Sequence, residues 1–337
     1  MGKLKIFVYS CRDDEYILFE EYREKWNLEL SYCKSQPTLG NADLAKGYTC
    51  ITIVGTVISD ELLYRFYELG VRMIATRSIG VDHINLKLAA ELGIRFSNLS
   101  YSPNAVADFA IMLMLMCLRK AKYILEHYKV NDYALARNRG RELRDMTVGV
   151  VGGGRIGRTV MKELTGFGCE LLVYDNYHLE EVKEYATYVG YDELLGRADI
   201  LTVHAPGTDG THHMLNMENV KKLKKGVIVI NTSRGSNIDN KALIYGIEKE
   251  IISAVGIDVI DHEPVIYNVD HKDSLYIDHD VAVLESYPNV IITPHTAFFT
   301  DHAVRDMVEH ALHNCVCFLQ GKEIPDEIKS EKNKPRS

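Results

Sequence analysis

"TVGVVGGGRIGRTV", Thr147 to Val160, is the stretch on which the fold turns. Thr147 to Gly152 is an apolar, β-branched run of strand character. Gly152, Gly154 and Gly157 then follow in the spacing G-x-G-x-x-G, where an amphipathic helical pattern begins. The spacing alone says little, but strand, turn and helix in succession give it context. The first glycine permits a tight turn, the second lets a pyrophosphate approach the backbone, and the third lets helix pack on strand. The start of the helix offers unpaired N–H groups to phosphate oxygens. The expected unit is a dinucleotide-binding βαβ.

The next strand pattern, "CELLVYD" from Cys169, ends in Asp175, eighteen residues beyond Gly157. An acid there accepts hydrogen bonds from both ribose hydroxyls and repels a 2′-phosphate. Tyr177 and His178 follow with no Arg or Lys beside them, so the cofactor expected is NAD.

Short apolar runs alternate with helical patterns on both sides of this unit. One series is "LKIFVY" from Leu4, "LELSYC" from Leu28, "CITIV" from Cys50, "RMIAT" from Arg72 and "IRFSN" from Ile94. A second is "TVGVVG" from Thr147, "CELLVYD", "ILTVH" from Ile200, "GVIVINT" from Gly226, "SAVGIDV" from Ser253 and "NVIIT" from Asn289. Strands alternating with helices build parallel sheets from βαβ units. The 337 residues exceed one ordinary domain. The fold class expected is therefore α/β, with two doubly wound parallel-sheet domains. One long helix is expected from Pro103 to about Lys129 and a last one from about Thr300 to Leu319, the latter returning to the first domain. The boundaries this implies are 1–100 and 298–337 for one domain and 101–297 for the cofactor domain, with hinges near residues 100 and 298 and a cleft between.

Composition narrows the partners. The chain is 46% hydrophobic and 26% charged with a net charge of −8, which argues against a broad basic nucleic-acid face. The longest apolar run, "FAIMLMLMCL" from Phe109, has ten residues, where a membrane span needs about 20. Seven cysteines form no CxxC pair, so free thiols and no metal site are expected. No positively charged start leads into an apolar leader, so the compartment expected is the cytoplasm.

Ligands of open α/β sheets bind beyond the carboxyl ends of the strands. Three polar residues stand at such ends: Arg234 after "VIVINTS", Glu263 in "GIDVIDHEP", and His295 after "NVIITP". Any one of them has an ordinary structural reading, and the chain holds thirteen histidines. Together they suit hydride reduction of a 2-oxo acid. Arg grips the carboxylate and polarises the ketone. His gives a proton to the carbonyl oxygen, and Glu beside it favours the imidazolium.

The motifs "TRSIGVDHINLKLAAELGI", "YSPNAVADFAIMLMLMCLR", "VGVVGGGRIGRTV", "VINTSRGSNID", "GIDVIDHEP" and "VIITPHTAFFT" occur in this order over nearly the whole chain. In them the sequence closely resembles the D-isomer-specific 2-hydroxyacid dehydrogenases. "TRSIGVDHI" and "SYSPNAVAD" bring it nearest the D-lactate dehydrogenase branch. The resemblance implies a Rossmann cofactor domain, a flavodoxin-like substrate domain split between the chain ends, and a homodimer formed through the cofactor domains. It implies Arg234 as the substrate-binding arginine, Glu263 as the acid paired to the histidine, and His295 as the proton donor. It also implies Ile79 and Gly80 as backbone donors to the substrate carboxylate and Tyr101 and Phe299 as pocket walls. Arg155 and Ile156 fall at the pyrophosphate, and Pro206, Thr232 and Asp258 at the nicotinamide half, Asp258 bonding the carboxamide. Asp108 stands where many relatives carry Glu. The substrate so implied is pyruvate, reduced to D-lactate. A larger 2-oxo acid such as 2-oxoisocaproate or phenylpyruvate is the alternative, and an NADH-sensing corepressor of the same fold is a more distant one.

Overall fold

Each apolar run read as a strand forms one in the computed structural model, which describes residues 2–81, 83–261 and 278–328. Glu263 lies outside the described residues. Two units emerge from the chain's own contacts: Met1–Ser102 with Phe299–Ser337, and Pro103–Phe298.

In the first unit, β1 (Leu4–Val8), β2 (Leu28–Tyr32), β3 (Cys50–Ile53), β4 (Met73–Thr76) and β5 (Arg95–Ser97) pair in parallel in the order β2-β1-β3-β4-β5. This is the flavodoxin-like order. Alternate side chains serve opposite faces, as the strand repeat of two requires. Phe7, Ile51 and Ile74 pack with Leu62, Leu63 and Phe66 of α2 (Asp60–Glu68) and Leu88 of α3 (Leu86–Glu91). Ile6, Val8, Cys50 and Met73 pack with Phe19 and Tyr22 of α1 (Asp13–Lys25) and with the last helix of the chain.

The second unit opens with a departure from expectation. The single helix foreseen from Pro103 to Lys129 is two, α4 (Asn104–Leu118) and α5 (Ala121–Lys129), because Lys120 between them is left-handed at φ 53°. α4 is threaded through the core, with Leu113 and Met114 fully buried, whereas α5 has no buried residue. Then follow β6 (Thr147–Val151), α6 (Arg155–Leu164), β7 (Glu170–Tyr174), β8 (Thr187–Tyr188), α7 (Tyr191–Arg197), β9 (Ile200–Val203), β10 (Val227–Asn231), α8 (Asn240–Glu248), β11 (Ile252–Ile257), α9 (His279–Ser286) and β12 (Val290–Ile292). β8 was not foreseen, since two residues are too few for a periodic pattern.

These strands form one parallel sheet in the order β12-β11-β10-β9-β6-β7-β8, with the chain reversing direction of growth between β6 and β9. That reversal is the Rossmann switch point, where the carboxyl ends of two neighbouring strands leave a crevice. α4 and α6 cover one face through Leu113, Met114, Val160 and Leu164; α7, α8 and α9 cover the other through Leu194, Leu243 and Leu284. α10 (Asp301–Leu319), capped by the Thr300 hydroxyl, returns to the first unit and lays Val308, Ala311, Leu312 and Cys315 on its sheet.

Candidate active site

At the switch point the glycine turn is close-fitting by construction. Gly152 is left-handed at φ 96°, and a Cβ there would lie 2.8 Å from the His204 carbonyl at the end of β9. A Cβ on Gly157 would overlap the Gly152 carbonyl, while one on Gly154 would meet nothing. Gly154 thus leaves open space over the first turn of α6, where Arg155 and Ile156 sit. This is the space a pyrophosphate needs beside unpaired helix N–H groups. Asp175, just past β7, accepts from the Gly153 N–H at 2.6 Å and the Tyr177 N–H at 2.8 Å, so the acid is tied to the glycine turn itself.

The neighbouring strand ends are polar and pinned. Past β9, His204 bonds the Thr202 hydroxyl through Nε2 at 2.9 Å, its Nδ1 is buried without a partner among the described residues, and burial pushes its pKa down to about 4. It is a neutral imidazole at physiological pH. Pro206, two residues on, accepts through its carbonyl from the Thr211 hydroxyl at 2.6 Å. Past β10, Asn231 organises the turn by accepting from the Ser233 N–H and hydroxyl and donating to the Arg234 carbonyl. The Arg234 guanidinium donates to the Ser233 carbonyl at 2.8 Å, and its stem lies against Gly207. The Thr232 hydroxyl is buried with no partner among the described residues. An orphaned hydroxyl past β10, two strands along the same sheet edge from a glycine turn with room above it, suits a nicotinamide dinucleotide.

Asp258 and His295 form one assembly. Asp258, fully buried past β11, accepts from the Thr293 hydroxyl at 2.5 Å, the Thr296 N–H at 2.9 Å and the Ala297 N–H at 2.8 Å. Its carbonyl takes the His295 N–H at 2.9 Å. His295 is left-handed at φ 53°, a conformation that costs a non-glycine residue energy and is held here by these bonds. Burial raises the Asp258 pKa, and the bonds from Thr293, Thr296 and Ala297 oppose that rise. The resemblance implies Asp258 as a carboxamide partner; in the structure its oxygens accept from the turn that carries His295.

In the other unit, Ile79 and Gly80 follow β4, Tyr101 follows β5, and Phe299 precedes α10. Phe299 is 51% exposed, and the Arg12 guanidinium lies 5.4 Å from its ring centre. A Cβ on Gly55, in the loop after β3, would reach only Ser78 at 3.9 Å. Sequence reasoning passed over the residues behind this loop, Arg77, Glu15 and Asn98. A charged Arg closing the apolar strand run "MIATR" was the available signal.

Comparison with known proteins gives consistent results. Residues 111–297 match the family model described as "D-isomer specific 2-hydroxyacid dehydrogenase, NAD binding domain". The chain is 38% identical to an aromatic 2-oxoacid reductase of Clostridium sporogenes over 98% of this chain and 99% of that protein. Among solved structures, a D-lactate dehydrogenase of Treponema pallidum is similar with a TM-score of 0.87 at 30% identity. A D-2-hydroxyisocaproate dehydrogenase is similar with a TM-score of 0.88, also at 30% identity. Each similarity covers 96% of this chain and 99% of the other.

Proposed function

We propose, for a chain that belongs to the D-isomer specific 2-hydroxyacid dehydrogenases and is thus an NAD-binding oxidoreductase, reduction of pyruvate to D-lactate. The observation that carries the reading is His295, held in a left-handed turn by Asp258 at the same sheet edge as Arg234 and the glycine turn.

The residues suited to hold the dinucleotide are Gly152, Gly154, Arg155, Ile156 and Gly157 at the pyrophosphate, Asp175 at the ribose, and Pro206 and Thr232 toward the nicotinamide. Bound NADH supplies the hydride. Arg234 takes the substrate carboxylate in its planar fork and polarises the ketone. The His295 imidazolium gives its ring proton to the carbonyl oxygen as negative charge develops there, and recovers it in the reverse direction. Glu263, which lies outside the described residues, is the acid proposed to pair with that histidine. Ile79 and Gly80 offer backbone N–H groups to the carboxylate, with Tyr101 and Phe299 as walls.

Two observations favour a second substrate reading, an aromatic or branched 2-oxo acid. One is the likeness to the Clostridium sporogenes reductase. The other is Gly55, which leaves room beside Ser78, next to the carboxylate loop. NADH oxidation with pyruvate, 2-oxoisocaproate and phenylpyruvate separates the readings. A kcat/KM highest for pyruvate supports the first and one highest for phenylpyruvate the second. Tight NADH binding without turnover of any 2-oxo acid would sink both and favour the corepressor.

Among the described residues, no helix is long and apolar enough to cross a membrane. The seven cysteines are free, in keeping with a cytoplasmic protein. The proposal extends to a homodimer through the cofactor unit. What supports it is the apolar depression of that unit in which the exposed Met112 and Phe167 lie with Ile111, Leu115 and Met116, the kind of contiguous patch that marks an interaction site. Light scattering at the mass of one chain would refute it.

A further inference from the structure

Ile79 and Gly80 have been read as backbone donors, and what aims a backbone donor is the carbonyl on the same peptide. In a trans peptide the C=O and the following N–H point in opposite directions. The Ile79 carbonyl accepts from Asn98 Nδ2 at 2.8 Å, so the Gly80 N–H faces away from Asn98. The Gly80 carbonyl accepts from the Ser78 hydroxyl at 2.8 Å, which is itself 2.8 Å from the Thr76 hydroxyl, and this aims the Val81 N–H likewise. Asn98 sits just past β5, and its own carbonyl takes a bond from the buried Asn314 of α10 at 3.2 Å.

Beneath the turn lies Arg77, fully buried with Glu15, also fully buried. Its Nε donates to Glu15 at 2.9 Å, Nη1 to the Thr52 hydroxyl at 3.0 Å, and Nη2 to the carbonyls of Tyr9 and Ser10 at 2.9 and 3.0 Å. The Phe19 ring lies 5.3 Å from the guanidinium. One side chain thus ties the ends of β1, β3 and β4 to the first turn of α1. Swapping a buried ion pair for apolar residues of similar volume is often neutral or stabilising. A pair this fully bonded under a turn is better explained by the geometry it imposes.

We propose that Asn98 and Arg77 are positioning residues for substrate binding: Asn98 aims the Gly80 amide and Arg77 fixes the base of the loop. The proposal rests on the reading that the Ile79 and Gly80 amides receive the substrate carboxylate. It predicts a loss in KM rather than in kcat, because the loop's grip on the carboxylate is made in the ground state as well as in the transition state.

The test is steady-state kinetics on the full chain with the best 2-oxo acid, beside NADH affinity and Tm. Asn98→Ala removes one hydrogen bond, and KM is expected to rise about 3- to 10-fold with kcat, NADH affinity and Tm close to the parent. Asn98→Gln, which keeps the amide donor, recovers part of the loss. Arg77→Lys keeps the charge facing Glu15 but loses the fork, and raises KM in the same way. An unchanged KM in both Asn98→Ala and Arg77→Lys overturns the proposal, as does a fall in NADH affinity and Tm that tracks the KM change. Ile79→Pro and Gly80→Pro delete the amide hydrogens themselves and test the reading beneath. A folded pair with unchanged KM removes the carboxylate role of the loop. A raised KM there with an unaltered Asn98→Ala overturns the positioning role alone.

Discussion

The turn after β4 and the turn after β12 both stand at the carboxyl edge of a parallel sheet, yet they are held by different means. The first rests on a buried ion pair whose guanidinium reaches three strand ends; the second is gathered around one buried carboxylate, Asp258, that accepts from the residues flanking His295. They also differ in where the backbone strain sits. Among the groups that hold the first turn it falls on Ser10, left-handed at φ 52°, which offers its carbonyl to Arg77 from the end of another strand. In the second turn it falls on His295 itself. A loop that works through backbone amides can place its strain elsewhere. A loop that must aim one side chain bears the strain at that residue.

The sharpest way to break this comparison is at the histidine. His295→Gln should lower kcat by about 10²- to 10⁴-fold, the usual contribution of a positioned general acid, with NADH affinity retained. Steady-state rates check it, and an unaltered kcat refutes the assignment. Next is the ion pair. Arg77→Met leaves the buried Glu15 with only the more distant Arg12 guanidinium, 3.5 Å away, and should cost about 3 kcal/mol of unfolding free energy, the low end for a broken buried pair. Arg77→Met with Glu15→Leu should recover most of that while leaving KM raised, as denaturant unfolding and kinetics together would show. A double variant as unstable as the single one would make the pair a stabilising device. Asp258→Asn turns one acceptor into a donor against an N–H of the turn. A kcat loss on the order of 10²-fold is expected from misplacing His295, with KM altered less. Equal loss in both would mean that Asp258 acts on substrate binding too.

The smallest effect is on pH dependence, at Glu163 of α6 in the cofactor unit. Burial, and then Asp108 beside it, push the Glu163 carboxyl from 4.5 up to about 6. A raised pKa means the folded state prefers the protonated form, so this contribution is full below 4.5 and is lost as pH rises through about 6. Glu163→Gln should flatten that part of a Tm-against-pH curve. An unchanged slope would place the titration elsewhere.

Most of the fold was legible because β-branched runs and their spacing are local properties of the chain. What escaped was local too weakly or not at all: the two-residue β8, and the left-handed Lys120, whose conformation answers to the core that α4 enters and α5 leaves. At the site, Arg234 and His295 were visible as polar letters at the ends of apolar runs. The bond partners were not. Glu15 is 62 residues from Arg77, and nothing in "DDEYILF" announces a fully buried acid. Asp258 entered only through the family resemblance, as a carboxamide partner, and its attachment to Thr293, Thr296 and Ala297 depends on β11 and β12 lying side by side. The sign of φ at His295 is written in no letter.

That sign has a practical side. A left-handed conformation costs an ordinary residue about 1 to 2 kcal/mol, glycine almost nothing, and asparagine less than most. In this chain, histidine at this position therefore costs more stability than asparagine or glycine would. His295→Asn or His295→Gly should unfold later than the parent while binding NADH and 2-oxo acid without turning them over. Such a variant would be a durable decoy in which the unreacted complex can be held long enough to be looked at.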